Sequence, residues 1–107
     1  MKNIPITDPV ILAFKKRLLE RFSIDIRKVL LYGSRARGDF EQESDYDVIV
    51  LVDKADKTLE EQICNTAWDF GFERHVSISV LVFEQTQLET DLYEPLFINV
   101  RREGVAL

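Results

Sequence analysis

At 107 residues the chain suits one compact domain and is too short for two independently stable cores, so residues 1–107 are read as a single domain. Hydrophobic residues make up 46% and charged residues 31%, no stretch is apolar for long enough to span a bilayer, and Met1 to Pro5 lacks a signal-peptide core; a cytoplasmic protein with no membrane partner is expected. A net charge of −5 sets the surface against polynucleotide phosphates, Cys64 as the only cysteine excludes an internal disulfide, and His75 as the only histidine argues against a zinc centre.

Asp8-Pro9 reads as an N-cap followed by proline at the first helical position, and Ile11, Phe14, Leu18 and Phe22 recur at helical spacing, which predicts a helix over 9–22. Lys28-Val29-Leu30-Leu31-Tyr32 is an apolar run ending at glycine, the pattern of a buried strand entering a turn. A polar loop follows, and Tyr46 to Val52, rich in β-branched residues, predicts a second strand. Thr58 and Glu61 have capping-box spacing, and Leu59, Ile63, Ala67 and Phe70 form a helical stripe expected to stop at Gly71. A third strand is expected from His75 to Phe83, where Val76, Ile78 and Val80 alternate with Ser77 and Ser79. Thr86 with Glu89, then Pro95 and Gly104, place one or two helices over 86–103, and the tail from Val105 suits a short edge strand. Helices alternating with strands in this order predict an α/β (α+β) sandwich, a small sheet with helices packed on it.

Asp45 and Asp47 stand one residue apart at the start of the second strand, and side chains alternate along a strand, so both carboxylates point to one face. Val48, Val50 and Val52 face the other way, as does Tyr46, which is assigned to the core. Ile49 and Leu51 share the acidic face farther along and are expected to be covered. Repulsion between neighbouring carboxylates is relieved by protonating one, by a basic partner, or by a divalent cation, which prefers hard oxygen ligands. Magnesium is the simplest resolution, because it is commonly held by one or two carboxylates together with substrate phosphates.

The second piece is Tyr32-Gly33-Ser34-Arg35-Ala36-Arg37-Gly38. A strand that runs into Gly-Ser lets backbone without a Cβ approach an anion, while the serine hydroxyl and free N–H groups donate to phosphate oxygens. A helix starting near Ser34 would add its dipole. The stretch is not a Walker loop, since the Gly-Lys-Ser/Thr ending is absent. Arg35 and Arg37 are the local cations, candidates for contact with a triphosphate or a partner.

Gly33-Ser34, ten intervening residues and Asp45-Tyr46-Asp47 together resemble the GSx10DxD signature of the minimal nucleotidyltransferases, the MNT-type antitoxin family within the DNA polymerase β-like superfamily. The likeness extends from Leu31 through Asp39 and from Ser44 through Val50. It implies a small mixed sheet with helices on one face and ATP or another nucleoside triphosphate as substrate. It also implies two Mg2+ ions shared by Asp45, Asp47 and the triphosphate, with Gly33 and Ser34 on the β and γ phosphates. An acceptor hydroxyl would attack the α phosphorus and pyrophosphate would leave. Many such proteins pair with a helical HEPN-type toxin and transfer AMP to one of its tyrosines; a homo-oligomer is the other assembly kept open.

One part of the family pattern is missing. A third carboxylate usually stands on a later strand, and the matching positions here are Ser77 or Ser79, with Glu73 and Glu84 as flanking acids that could reach inward. Two readings follow: an active transferase whose site is relaxed or completed by a partner, or a nucleotide-binding antitoxin that has lost its chemistry. A third treats the acids and the Gly-Ser turn as ordinary structure in a dimerisation module. His75 is disfavoured as a general base, and Trp68, Tyr93 and Phe97 are assigned to core or interface packing.

Overall fold

The computed structural model describes residues 6–107. Helix α1 spans Pro9–Phe22; Asp8 caps it by accepting the Val10 N–H at 2.9 Å, and the spacing of Ile11, Phe14 and Leu18 buries one stripe. Strand β1 (Ile26–Tyr32) leads into a five-residue helical turn, α2 (Gly33–Arg37), and after an irregular loop comes β2 (Tyr46–Val52). Then follow α3 (Lys57–Arg74), β3 (Ile78–Glu84), α4 (Gln85–Thr90), α5 (Pro95–Glu103) and β4 (Val105–Ala106). The two-helix form of the 86–103 segment is therefore the one adopted.

Several boundaries differ from the sequence reading, the following for local reasons. Helix α3 begins one residue before Thr58, because Asp56, rather than Thr58, caps it by accepting the Leu59 N–H at 2.8 Å. It runs past Gly71 to Arg74, where His75 takes the left-handed conformation at φ 57° and the Val76 N–H returns to the Gly71 carbonyl at 3.0 Å. Gly71 is thus a point of close approach and not a stop: a Cβ there would lie 2.6 Å from the Val76 carbonyl oxygen. This pushes the start of β3 from His75 to Ile78. Helix α4 is capped by Glu84 with Gln87 in a reciprocal capping box, in place of Thr86 with Glu89.

The four strands form one mixed sheet in the order β3-β2-β1-β4. β1 pairs antiparallel with β2 and with β4, and β2 pairs parallel with β3 through the crossover helix α3. Strand β2 lies inside the sheet and is apolar on both faces beyond Asp47, as a doubly covered strand should be.

Those two faces carry two cores. On one, Val48, Val50 and Val52 of β2 with Val29 and Leu31 of β1 meet Ile11, Phe14 and Leu18 of α1 and Leu59, Ile63 and Phe70 of α3. On the other, Leu30, Ile49 and Leu51 meet Leu88 of α4 and Phe97 and Val100 of α5. Helices therefore cover both faces, which corrects the expectation of helices on one. Ile49 and Leu51 require the second layer: they follow the aspartates on the same side, and α4 and α5 remove them from water. The helical layer stops short of Asp45 and Asp47, and the site occupies the uncovered end. Phe97, edge-on to Phe83 with ring centroids 4.9 Å apart, anchors this layer. Phe97→Ala should cost about 3–5 kcal/mol, the range for truncating a buried aromatic, read as a lower urea midpoint at unchanged slope.

Candidate active site

The site is assembled by strand register. Tyr32, the last residue of β1, pairs with Asp47 on β2, so the Gly33 turn that follows is laid directly against the Asp47 side chain. The apposition is tight enough that a Cβ on Gly33 would overlap the Asp47 carboxylate oxygen. Gly33 also sits at φ 71°, where residues with side chains are strained. The residue thus meets two demands of one place: a left-handed bend and no side chain facing the acid.

The turn itself carries hydrogen-bond donors. Helix α2 starts at Gly33 with no side-chain cap, so its leading N–H groups have no side-chain acceptor, and Ser34 adds a half-buried hydroxyl. Gly38, at φ 86°, ends the turn by donating its N–H to the Ser34 carbonyl at 2.9 Å.

Asp45 is exposed and Asp47 half-buried, and among the described residues neither carboxylate has an ion-pair or hydrogen-bond partner. Removal from water, helped by the neighbouring Asp45 charge, pushes the Asp47 carboxyl above its ordinary range, while Arg37 opposes the shift. Arg37 lies at the rim, 3.3 Å from Asp39 and 3.8 Å from Glu103, and is the one of the two predicted arginines whose field reaches Asp47.

Arg35 goes elsewhere. Its guanidinium is almost buried and contacts the Ser44 and Gln42 carbonyls, Asp8, and the rings of Phe40 and Tyr46. The structure thus brings together Gly33, Ser34, Asp47, Asp45 and Arg37, and leaves Arg35 committed to the loop. Tyr46, between the two acids, is buried as expected and donates its hydroxyl to Asp8 at 2.6 Å; burial above all, then this bond, carries its pKa up to about 12.

The place of the missing third acid is also defined. Ser79 pairs with Asp47 across the parallel β2–β3 ladder and so stands beside it on the same face, while the Ser77 carbonyl accepts the Tyr46 N–H at 2.9 Å. Neither flanking glutamate fills the gap: Glu73 pairs with Arg17 at 3.1 Å, and Glu84 holds the Ala55 N–H at 3.0 Å at the far end of the strand. Among the described residues no cluster of three or more metal-ligating side chains exists. The donor set nevertheless fits Mg2+ with a nucleotide, since the unpaired Asp47 carboxylate lies against the Gly33 turn with Asp45 near it, and the remaining ligands can come from phosphate and water. It does not fit an autonomous protein-only metal site.

Paired acids beside an uncapped Gly-Ser turn on a mixed sheet are the layout of a phosphate-transfer site that borrows ligands from its substrate. The chain belongs to the nucleotidyltransferase domain family, whose model matches residues 11–104. Two Methanocaldococcus jannaschii proteins named "Putative protein adenylyltransferase" are similar to it. One is 33% identical over 78 residues, covering 72% of this chain and 79% of that protein. The other is 40% identical over 40 residues, covering 37% of this chain and 40% of its own. The fold matches the crystal structure of a toxin–antitoxin with AMP-PNP at a TM-score of 0.60 and 18% identity, over 88% of this chain and 69% of that one.

The unrelieved acid pair predicts a stability cost without ligand. The native Asp47 carboxyl holds its proton to higher pH than the unfolded one, so its contribution to stability falls as pH rises from 3.8 through the raised native value. Asp47→Asn should therefore melt about 2–4 °C above wild type at pH 7 in metal-free buffer, the shift of roughly 0.5 kcal/mol after discounting for solvent screening. The difference should shrink as pH is lowered toward 3.8. Equal melting temperatures across that range would contradict the electrostatic account.

Proposed function

We propose that this chain is a Mg2+-dependent transferase that moves AMP from ATP to a hydroxyl acceptor, and that the acceptor is a tyrosine on a helical, HEPN-type toxin partner. The observation that carries the reading is the apposition of Gly33 and Asp47, which sets the Gly-Ser turn against an unpaired carboxylate whose charge interacts with that of Asp45. The relatives named as protein adenylyltransferases support adenylate as the transferred group and protein as its destination. The fold neighbour, a toxin–antitoxin with AMP-PNP, supports an ATP-like ligand and a toxin partner. A net charge of −5 weighs against a polynucleotide acceptor.

In this reading Asp45 and Asp47 hold the metal, which when bound supplies charge neutralisation of the triphosphate and a lowered pKa for the acceptor hydroxyl. Gly33 and Ser34 receive the outer phosphates through N–H and hydroxyl donors, and Arg37 balances charge at the rim. The acceptor oxygen forms a bond to the α phosphorus as the bond to the bridging oxygen breaks; pyrophosphate leaves and the hydroxyl proton passes to solvent. The protein's share of the work is orientation of two reactants in line and electrostatic support of the charge that develops. Among the described residues no helix is long and apolar enough to cross a membrane.

A second reading is favoured by Ser79. With serine beside Asp47 and both nearby glutamates committed elsewhere, the chain would bind nucleotide and partner without transferring AMP.

Mg2+ and ATP together should raise the melting temperature, by about 2.7 kcal/mol of added stability at a hundredfold excess over Kd, and Asp47→Asn should abolish the rise. A wild-type protein that gains nothing from the pair would refute nucleotide binding. Intact mass of a coexpressed toxin after incubation with Mg-ATP separates the two readings, since an added adenylate marks transfer and an unmodified stable complex marks binding alone. Ser79→Asp should lower the Mg2+ concentration needed for half-maximal stabilisation while lowering the melting temperature of the ligand-free protein through like-charge repulsion.

A further inference from the structure

The loop that joins the phosphate turn to the acids has no regular secondary structure between Gly38 and Asp45, yet the site needs its two ends in fixed relation. Within the loop, the Glu41 N–H donates to the Ser44 hydroxyl at 2.9 Å and the Ser44 N–H to the Glu41 carbonyl at 3.0 Å, which closes one small turn. What ties that turn to the rest of the protein is Arg35. Its Nε donates to the Ser44 carbonyl at 3.0 Å and its Nη2 to the Gln42 carbonyl at 2.8 Å. The guanidinium carbon lies 4.0 Å from the Tyr46 ring centroid and 4.6 Å from that of Phe40. On the third side Nη1 is 3.7 Å from Asp8 Oδ2, the same oxygen that accepts the Tyr46 hydroxyl, and the side chain keeps only 9% of its exposure.

We infer that Arg35 is a positioning residue of this site: from within the Gly33–Arg37 turn it grips the carbonyls just before Asp45, fixing the spacing between the phosphate turn and the acid pair. The inference rests on reading the acids as a Mg-nucleotide site, and it adds a role for a side chain that does not touch the ligand. Three features argue for a clamp. The contacts reach the Ser44 carbonyl, part of the peptide bond that leads into Asp45, so a shift of the guanidinium is a shift of that acid. The arginine belongs to the turn itself, one residue after Ser34, so no intervening segment absorbs the motion. Its partners demand a fork: two carbonyls held by different guanidinium nitrogens and a ring stacked on the guanidinium cannot all be served by an ammonium, which makes arginine non-interchangeable with lysine here. Asp8 extends the clamp to α1, whose N-cap it supplies.

The test measures the Mg2+ concentration for half-maximal thermal stabilisation at saturating ATP, alongside amide hydrogen exchange of the ligand-free protein. Arg35→Lys and Arg35→Ala should both raise the Mg2+ requirement about tenfold or more, the usual loss when an outer support of metal ligands is removed. The ATP requirement at saturating Mg2+ should change little. Exchange should quicken selectively over residues 41–47, with β1 and α3 unaffected. Phe40→Ala, which removes one half-exposed ring of the stack and leaves the core intact, should raise the Mg2+ requirement by about threefold. A wild-type Mg2+ requirement in Arg35→Lys, with Arg35→Ala raising only the ATP requirement, would make Arg35 a phosphate contact and overturn the inference. So would exchange that is unchanged, or quickened uniformly across the sheet. If wild type itself ignores Mg-ATP, the nucleotide reading fails, and the exchange pattern still decides whether Arg35 holds the loop.

Discussion

The pairing of Tyr32 with Asp47 across β1 and β2 is the constraint from which the rest of the site follows. Side chains alternate along a strand, so slipping this register by one residue would change which residues of the two strands lie side by side and which face each serves. In the native register Leu30 and Ile49 are opposite each other on one face, Leu31 and Val48 on the other, and each pair finds a helical layer of its own. The hydrophobic effect that chooses this arrangement is worth far more than the repulsion between two acids. Burial of many aliphatic side chains at roughly 25 cal/mol per Å2 holds Asp47 where its charge is least welcome. The binding site is in this sense a local loss carried by a global gain.

The same register explains how three segments distant in sequence reach one point. β1 delivers the turn, β2 the acids, and the parallel β3, returned by the crossover helix α3, sets Ser79 at the third position. A parallel partner requires such a crossover, and the helix that provides it also fills one core. Function and folding use the same connection.

Much of this was legible in the sequence because it rests on local rules. Asp8-Pro9 and the α1 stripe gave the helix its true limits, and alternation in β2 placed Asp47 and the apolar residues beyond it. The failures came where several local signals compete or where a distant contact decides. Gly71 carries the ordinary signal for a helix end, but the left-handed cap forms at His75, the Val76 N–H returns to the Gly71 carbonyl, and the helix continues to Arg74. The double layering was implied by Ile49 and Leu51, which had to be covered by something, yet the resemblance suggested a single layer. Arg35 was the hardest to place: in sequence it is a cation beside a phosphate turn, and nothing local marks Phe40, Tyr46 and Asp8 as the groups that enclose it. Ser77 and Ser79 were equivalent candidates by pattern, and only the parallel register singles out Ser79.

The shared space of Gly33 and Asp47 ties two positions together in descent. A side chain gained at 33 can be housed only by shrinking or swinging away the group at 47, and each such adjustment surrenders the carboxylate or its placement. The constraint runs one way: any side chain at 33 displaces the acid, whereas a smaller residue at 47 leaves the glycine undisturbed.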